Sequence, residues 1–330
     1  MLLAALLAGP VVLVAAGNLS QPFGVDFDQK GRVYIVEQDH RISVLDAKGA
    51  LRVLAGNGVK GFAGDGGPAA QALFNGPHVL LIGPDAALYV TDTWNYSVRR
   101  IDLKTETITR VAGTGVKGFS GDGGPAKDAQ FGGIFSIAFA PGRLYICDLD
   151  NRRVRVIDLK TQIVTTVAGN GERGVPKDGL DAKTQPLVDP RAIAVDAAGH
   201  LYICERAGHA LRVVDHTGRI RTVAGTGERG FSGDGGPALQ AKFDGPKHLF
   251  AEQNGDVLIS DTENNVIRRY SPKTGLVTRV AGTGTKGSAG VGGPADALEL
   301  NRPHGAMVHP VTGALYISDS DNHRVLRIEK

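Results

Sequence analysis

One glycine-rich phrase recurs along this chain and constrains its fold more than any other feature. It reads GVKGFAGDGGPAAQALF at 58–74, GVKGFSGDGGPAKDAQF at 115–131 and GERGFSGDGGPALQAKF at 227–243. Worn versions, GERGVPKDGLDAKTQPL and GTKGSAGVGGPADALEL, lie at 171–187 and 284–300. A second marker, a short apolar strand ending in an acid, recurs as RVYIVE, ALYVTD, RLYICD, HLYICE, DVLISD and ALYISD. Its tyrosine position falls at Tyr34, Tyr89, Tyr145, Tyr202, Leu258 and Tyr316, at intervals of 55, 56, 57, 56 and 58. The chain is therefore six units of one repeat.

Within a unit the pattern predicts four strands, for example FSIAFAP, RLYICD, RVRVID and TTVAGNG, separated by Gly, Asp and Asn turns. The 42% hydrophobic content and 46 glycines of the 330 residues suit many short strands joined tightly. Four strands in each of six repeats predict an all-β fold, a six-bladed β-propeller of four-stranded blades. Solenoids have shorter periods, and helical repeats need apolar residues at helical spacing, which this unit lacks.

A ring must close. The last unit supplies only HGAMVHP, ALYISD and RVLRIEK, while PVVLVAAGN at 10–18 resembles the outermost strand of the other units. The expectation is a ring closed by this N-terminal strand, with 10–330 a single domain and 1–9 the remnant of a leader or anchor. The stretch MLLAALLAGPVVLVAAG also reads as a secretory signal, with Val14-Ala15-Ala16 as its cleavage site, although its start lacks Lys or Arg. Gly9-Pro10 interrupts it, so a stable membrane span is not expected. A secreted or periplasmic monomer is the resulting expectation.

The phrase VAGTGxxGFSGDGGPA, followed by Pro, an inner strand, LYxxD, Asn and an Arg/Val-rich strand, resembles bacterial NHL repeats over essentially the whole chain. Blades 2, 3 and 5 keep it best, with Asp92 to Asn95, Asp148 to Asn151 and Asp261 to Asn264. Blade 1 lacks the glycine-rich insertion, and in the last unit Val291 stands where others have Asp. The resemblance implies a propeller, and binding a protein, peptide or glycan through its loop face and channel mouth requires nothing that the sequence lacks. In some relatives, such as the peptidyl-amidoglycolate lyases, it implies channel histidines that hold zinc.

Three sets of residues are candidates for function. The Gly-Asp-Gly-Gly turn reads as a structured connector: its glycines tolerate positive φ, its Asp is expected to bond nearby amides, and Pro125 is expected to open a helical turn. One carboxylate per loop falls short of the oxygens calcium needs. The second set is Glu37, Asp92, Asp148, Glu205, Asp261 and Asp319, six equivalent acids that either hold a metal or cap turns, with Arg99, Arg155, Arg212 and Arg268 as expected partners. The third set varies between repeats. Phe23, His78, Phe135, Arg191, Lys247 and His304 open the six inner strands, so they should converge at one channel mouth as a site for an anionic or sugar-like ligand, with Trp94 and His248 adding to it.

Zinc or calcium is admitted at His78, His304 or the acids, but only two histidines align and no cofactor is required. Cys147 and Cys204 occupy one repeat position and read as small buried residues rather than reactive thiols. No Ser or Cys nucleophile signature is present. The leading reading is a non-enzymatic recognition scaffold, and the alternative is a metal-dependent lyase or lactone hydrolase. Nucleic acid is not an expected partner, because the net charge is only +3 and acids recur among the bases.

Overall fold

The computed structural model describes residues 9–46 and 48–330, whose strands form six antiparallel sheets set as blades around a channel. Blade 3 runs outward as Ile134–Ala140, Arg143–Asp148, Arg153–Asp158 and Val164–Ala168. The other inner strands are Pro22–Phe27, Pro77–Ile82, Pro190–Val195, His248–Ala251 and Pro303–Val308. Each sheet packs between two neighbours, so both its faces are apolar: Val98 and Ala112 of blade 2 share a core with Ile137 and Ile146 of blade 3. Strands such as Leu144 to Asp148 are consequently buried at every position.

The ring closes as expected. Val11–Ala15 pairs antiparallel with Arg324–Ile328. On its other side Val11 donates its amide to the Gly293 carbonyl at 2.9 Å, and its carbonyl accepts from Gly292 at 2.8 Å. The last glycine-rich segment thus clamps the closing strand. The leader or anchor read at 1–9 falls, apart from Gly9, outside the described residues. Cleavage after Ala16 would remove the closing strand. Among the described residues no helix is long and apolar enough to cross a membrane.

The glycine-rich segment folds back along the outer strand of the blade that follows it. Gly123 donates to Val164 O at 2.8 Å and Ala126 to Gln162 O at 2.8 Å, which shields an edge that would otherwise pair with other chains. In blades 4 and 5 it is regular enough to add a fifth strand, Leu180–Asp181 and Gly236–Pro237. Gly121 sits at φ 88, and a Cβ there would lie 2.7 Å from Ala129 Cα. Only glycine fits. Pro125 precedes the short 3-10 turn Ala126–Asp128 rather than opening it: its backbone is extended, while its carbonyl already accepts from Asp128 at 3.0 Å.

The Asp of this phrase does not fix its own turn, contrary to expectation, but reaches across to a buried arginine. Asp122 accepts from Arg155 Nε and Nη2 at 3.0 and 2.6 Å, and from the Thr166 hydroxyl at 2.6 Å. Arg155 also donates to the carbonyls of Gln130 (2.8 Å) and Ser120 (2.9 Å), and its guanidinium lies over the rings of Phe119 and Phe131. Arg99 and Arg268 repeat the arrangement with Asp65, Phe62 and Phe74, and with Asp234, Phe231 and Phe243. The phrase is a clamp around a guanidinium. A buried charge requires every donor to be satisfied, and the loop's two phenylalanines, one aspartate and two carbonyls do this together.

The clamp explains one of the two worn repeats, the last, whereas at 171–187 Val175 and Leu187 replace the phenylalanines while Arg212 stays and bonds Glu205. In the last unit Ser288, Val291 and Leu300 replace Phe, Asp and Phe, and Leu326 replaces the arginine. All four members are lost together. Arg324, from the start of that strand, enters instead and bonds Asp319 at 2.7 Å and Ser288 O at 2.8 Å. In blade 1, which lacks the insertion, Ser43 faces Ile35 where the arginine would stand.

Candidate ligand site at the channel mouth

Five of the six residues read at the starts of the inner strands meet, and the sixth, Lys247, bonds Glu263 of the turn beside them. Phe23 lies between His78 and His304, with ring centroids 4.9 and 4.5 Å away, and His78 packs edge-on to Phe135 at 4.6 Å. Arg191 lies over the Phe135 ring at 4.2 Å, and Lys247 bonds Glu263 at 2.7 Å. Blades 2 and 6 flank blade 1, which is why the two histidines share Phe23 without touching one another.

Hydrogen bonding fixes both imidazole tautomers. His78 Nδ1 is 2.8 Å from Gly76 O and 2.9 Å from Thr93 Oγ1, and the Thr93 hydroxyl donates to Ile134 O at 2.7 Å. Both neighbours therefore accept, and Nδ1 carries the proton. His304 has the same arrangement with Arg302 O at 2.9 Å and Ser320 Oγ at 3.0 Å, whose proton goes to Pro22 O. Burial, then the charge of Arg191 for His78 and of Lys247 for His304, holds both rings well below the ordinary histidine range. Two neutral imidazoles thus keep Nε2 unprotonated.

Around this ring runs a second one, formed by the turns after the second strands: Asp39, Trp94, Asp150, Ala207, Glu263 and Asp321. Of these, only Trp94 was legible as a mouth residue in the sequence; the acids were not. These are paired: Asp39 with Arg41, Asp150 with Lys117, Glu263 with Lys247 and Arg302, and Asp321 with Arg302. Trp94 is the large apolar member and stands 41% exposed, edge-on to Phe135 at 5.1 Å. Its ring lies close above two glycines, since a Cβ on Gly76 would be 2.7 Å from Trp94 Cδ1 and one on Gly133 would be 3.3 Å from Cζ3. Beside it opens a cleft of about 580 Å³ edged by Asp39, His40, Lys60, Asn75 and His78.

The acids Glu37, Asp92, Asp148, Glu205, Asp261 and Asp319 are each buried inside their own blade. Asp92 accepts from the Asn75 amide at 2.8 Å, Asn95 Nδ2 at 2.9 Å and Arg99 at 3.4 Å, tying the segment before the inner strand to the turn after the second. Glu205 bonds Arg212 at 2.7 Å and Asp261 bonds Arg268 at 3.3 Å, as expected. Arg155 is the exception. Its nearest acid is Asp122, and Asp148 is satisfied by Asn151 and the Gly132 amide. Among the described residues no three His, Cys, Asp or Glu side chains converge as a metal site would need. Cys147 and Cys204 are buried and unbridged, and donate to Pro190 O and Pro246 O of the next blade.

Below the mouth the channel holds a largely apolar cavity of about 260 Å³, lined among others by Phe139, Phe250, Met307, Ser136, His248 and Asp26. His248 therefore belongs to the lumen rather than to the mouth face. Asp26 was not anticipated, yet its signal was in the sequence: the other inner strands carry Leu81, Ala138, Ala194, Phe250 and Met307 at that register. It accepts from the amides of Phe27 (2.7 Å) and Ile82 (2.6 Å), bridging blades 1 and 2. Burial pushes its carboxyl up to about 6. A raised carboxyl contributes stability that is full below the unfolded value of about 4 and lost as pH rises through about 6. Asp26→Asn should therefore flatten the pH dependence of unfolding between about pH 4 and 6, by ~1–3 kcal/mol. Parallel urea curves for the two proteins across that window would contradict it.

No family model matches the chain. It is similar to the chloroplastic protein SUPPRESSOR OF QUENCHING 1 of Arabidopsis thaliana, with 28% identity over 290 residues that cover 84% of this chain and 27% of that protein. It is also similar to NHL repeat-containing protein 2 of Bos taurus, with 26% identity over 317 residues, 87% of this chain and 43% of that protein. The chain spans less than half the length of these curated relatives. Among solved structures, an auxiliary nutrient binding protein from Bacteroides thetaiotaomicron superposes with a TM-score of 0.66 at 17% identity, covering 94% of this chain and 69% of that one. At that identity the likeness bears on the fold alone.

Proposed function

Because the chain is a six-bladed β-propeller built of NHL-type repeats, we propose that it is a recognition module whose ligand, a glycan or a peptide of a partner protein, docks on the channel mouth. The observation that carries this reading is Trp94. Trp94 stands 41% exposed beside the mixed ring, and its flat face with an N–H at the edge suits stacking on a sugar or a side-chain ring. The cleft beside it supplies Asn75, Asp39 and Lys60 as polar partners. An apolar platform with a few convergent polar groups is how binding sites are usually built.

Screening the full chain against glycan and peptide panels tests this. Trp94→Ala should weaken the best binder by about tenfold or more. Replacing His78, Arg191, Lys247 and His304 together with Ala should abolish binding while the protein stays folded. Retained affinity in that variant would move the site to the outer loops. A second reading, a metal-dependent lyase or lactone hydrolase, draws on the two unprotonated Nε2 atoms at the mouth. One stoichiometric zinc or calcium in the purified protein, with melting lowered by chelator, would favour it.

A further inference from the structure

We propose that the mouth takes a carboxylate, with the Arg191 guanidinium as its partner. This deepens the mouth-recognition reading and rests on it. Six arginines are buried among the described residues: Arg99, Arg155, Arg191, Arg212, Arg268 and Arg324. Five of them bond a carboxylate. Arg191, 4% exposed, has none within ion-pair distance; its Nη1 is 3.5 Å from Phe135 O, and its Nε is buried without a partner.

The surrounding groups leave that charge uncompensated. Phe23 and Phe135 carry no charge, and His78 and His304 are neutral and accept at Nε2. Lys247 is held by Glu263, which also binds Arg302. Asp189, an acid close enough to influence Arg191, is held by Arg206 at 2.8 Å. One full positive charge therefore remains at the mouth, out of water, and a buried unpaired charge is costly. A carboxylate matches the planar fork of a guanidinium better than other small groups do. Trp94 and Arg191 pack against the same Phe135 ring, at 5.1 and 4.2 Å, so a ligand bearing a ring beside its carboxylate would engage both. A uronic-acid sugar and a peptide's C-terminal carboxylate share that chemistry.

Calorimetric titration of the full chain with glucuronate, glucose, and N-acetyl-Gly-Phe with a free or an amidated C-terminus separates these sources. The expected result is that one acid binds about tenfold or more tightly than its neutral counterpart, that Arg191→Met erases this preference, and that Arg191→Lys keeps part of it. Without ligand, Arg191→Met should melt at or above the unaltered protein, because an unpaired charge gives way to an apolar chain of similar length. Equal binding of acids and neutral counterparts, a preference that survives Arg191→Met, no binding by any probe, or a clear loss of melting temperature in Arg191→Met would overturn the proposal. Binding that depends on Trp94 but ignores charge would leave the mouth reading standing and remove only the carboxylate. Binding indifferent to both residues would remove both.

Discussion

Arg155→Ala is expected to destabilise the protein by about 3–5 kcal/mol, because removing one partner of a buried ion pair leaves the other, and the carbonyls it served, without compensation. Asp122 would lose two bonds, and the carbonyls of Ser120 and Gln130 one each. The last repeat supplies the control. There Val and Leu stand in place of the acid and the arginine, with Arg324 entering from the strand start, and blade 3 already carries Arg153 at that register. Asp122→Val/Arg155→Leu should therefore cost less than Arg155→Ala alone. Guanidinium unfolding of the three proteins gives the comparison. A loss of under about 1 kcal/mol in Arg155→Ala, or a double variant worse than the single, would show that the glycine-rich phrase is not held by its arginine.

Deleting residues 1–18 is expected to open the ring. The deletion removes the strand paired with Arg324–Ile328 and the bonds from Val11 to Gly292 and Gly293. It also uncovers the core around Leu326 and Ile328 that Val11 completes. A strand edge exposed in this way is a template for pairing with another chain. Melting should fall by ~10 °C or more, and the shortened protein should self-associate with rising concentration. An unchanged melting temperature in a monomeric shortened chain would mean that the last blade is stable with three strands.

The ring was legible because its information is periodic: a strand ending in Tyr-x-x-Asp at near-constant intervals needs no knowledge of what lies beside it. The same holds for closure, since PVVLVAAGN at 10–18 repeats the pattern of the other units' outermost strands. The mouth was legible in part, because residues at one repeat position meet on one axis, which placed Phe23, His78, Phe135, Arg191, Lys247 and His304 together. What repeat position cannot report is pairing. Arg155 turned to Asp122, 33 residues away, rather than to the strand-end acid. The rim acids escaped notice because each lies in a turn that also reads as simple turn chemistry. Asp26 could have been found as the one acid in an otherwise apolar layer.

Hydrogen exchange of the full chain with and without the best binder from the panels shows whether ligand docks at the mouth. Docking there should protect the starts of the inner strands and the turn carrying Trp94, with the glycine-rich segments on the outer edges of the blades unchanged. Protection confined to those outer segments, or to the far end of the channel around Asp26, would contradict it.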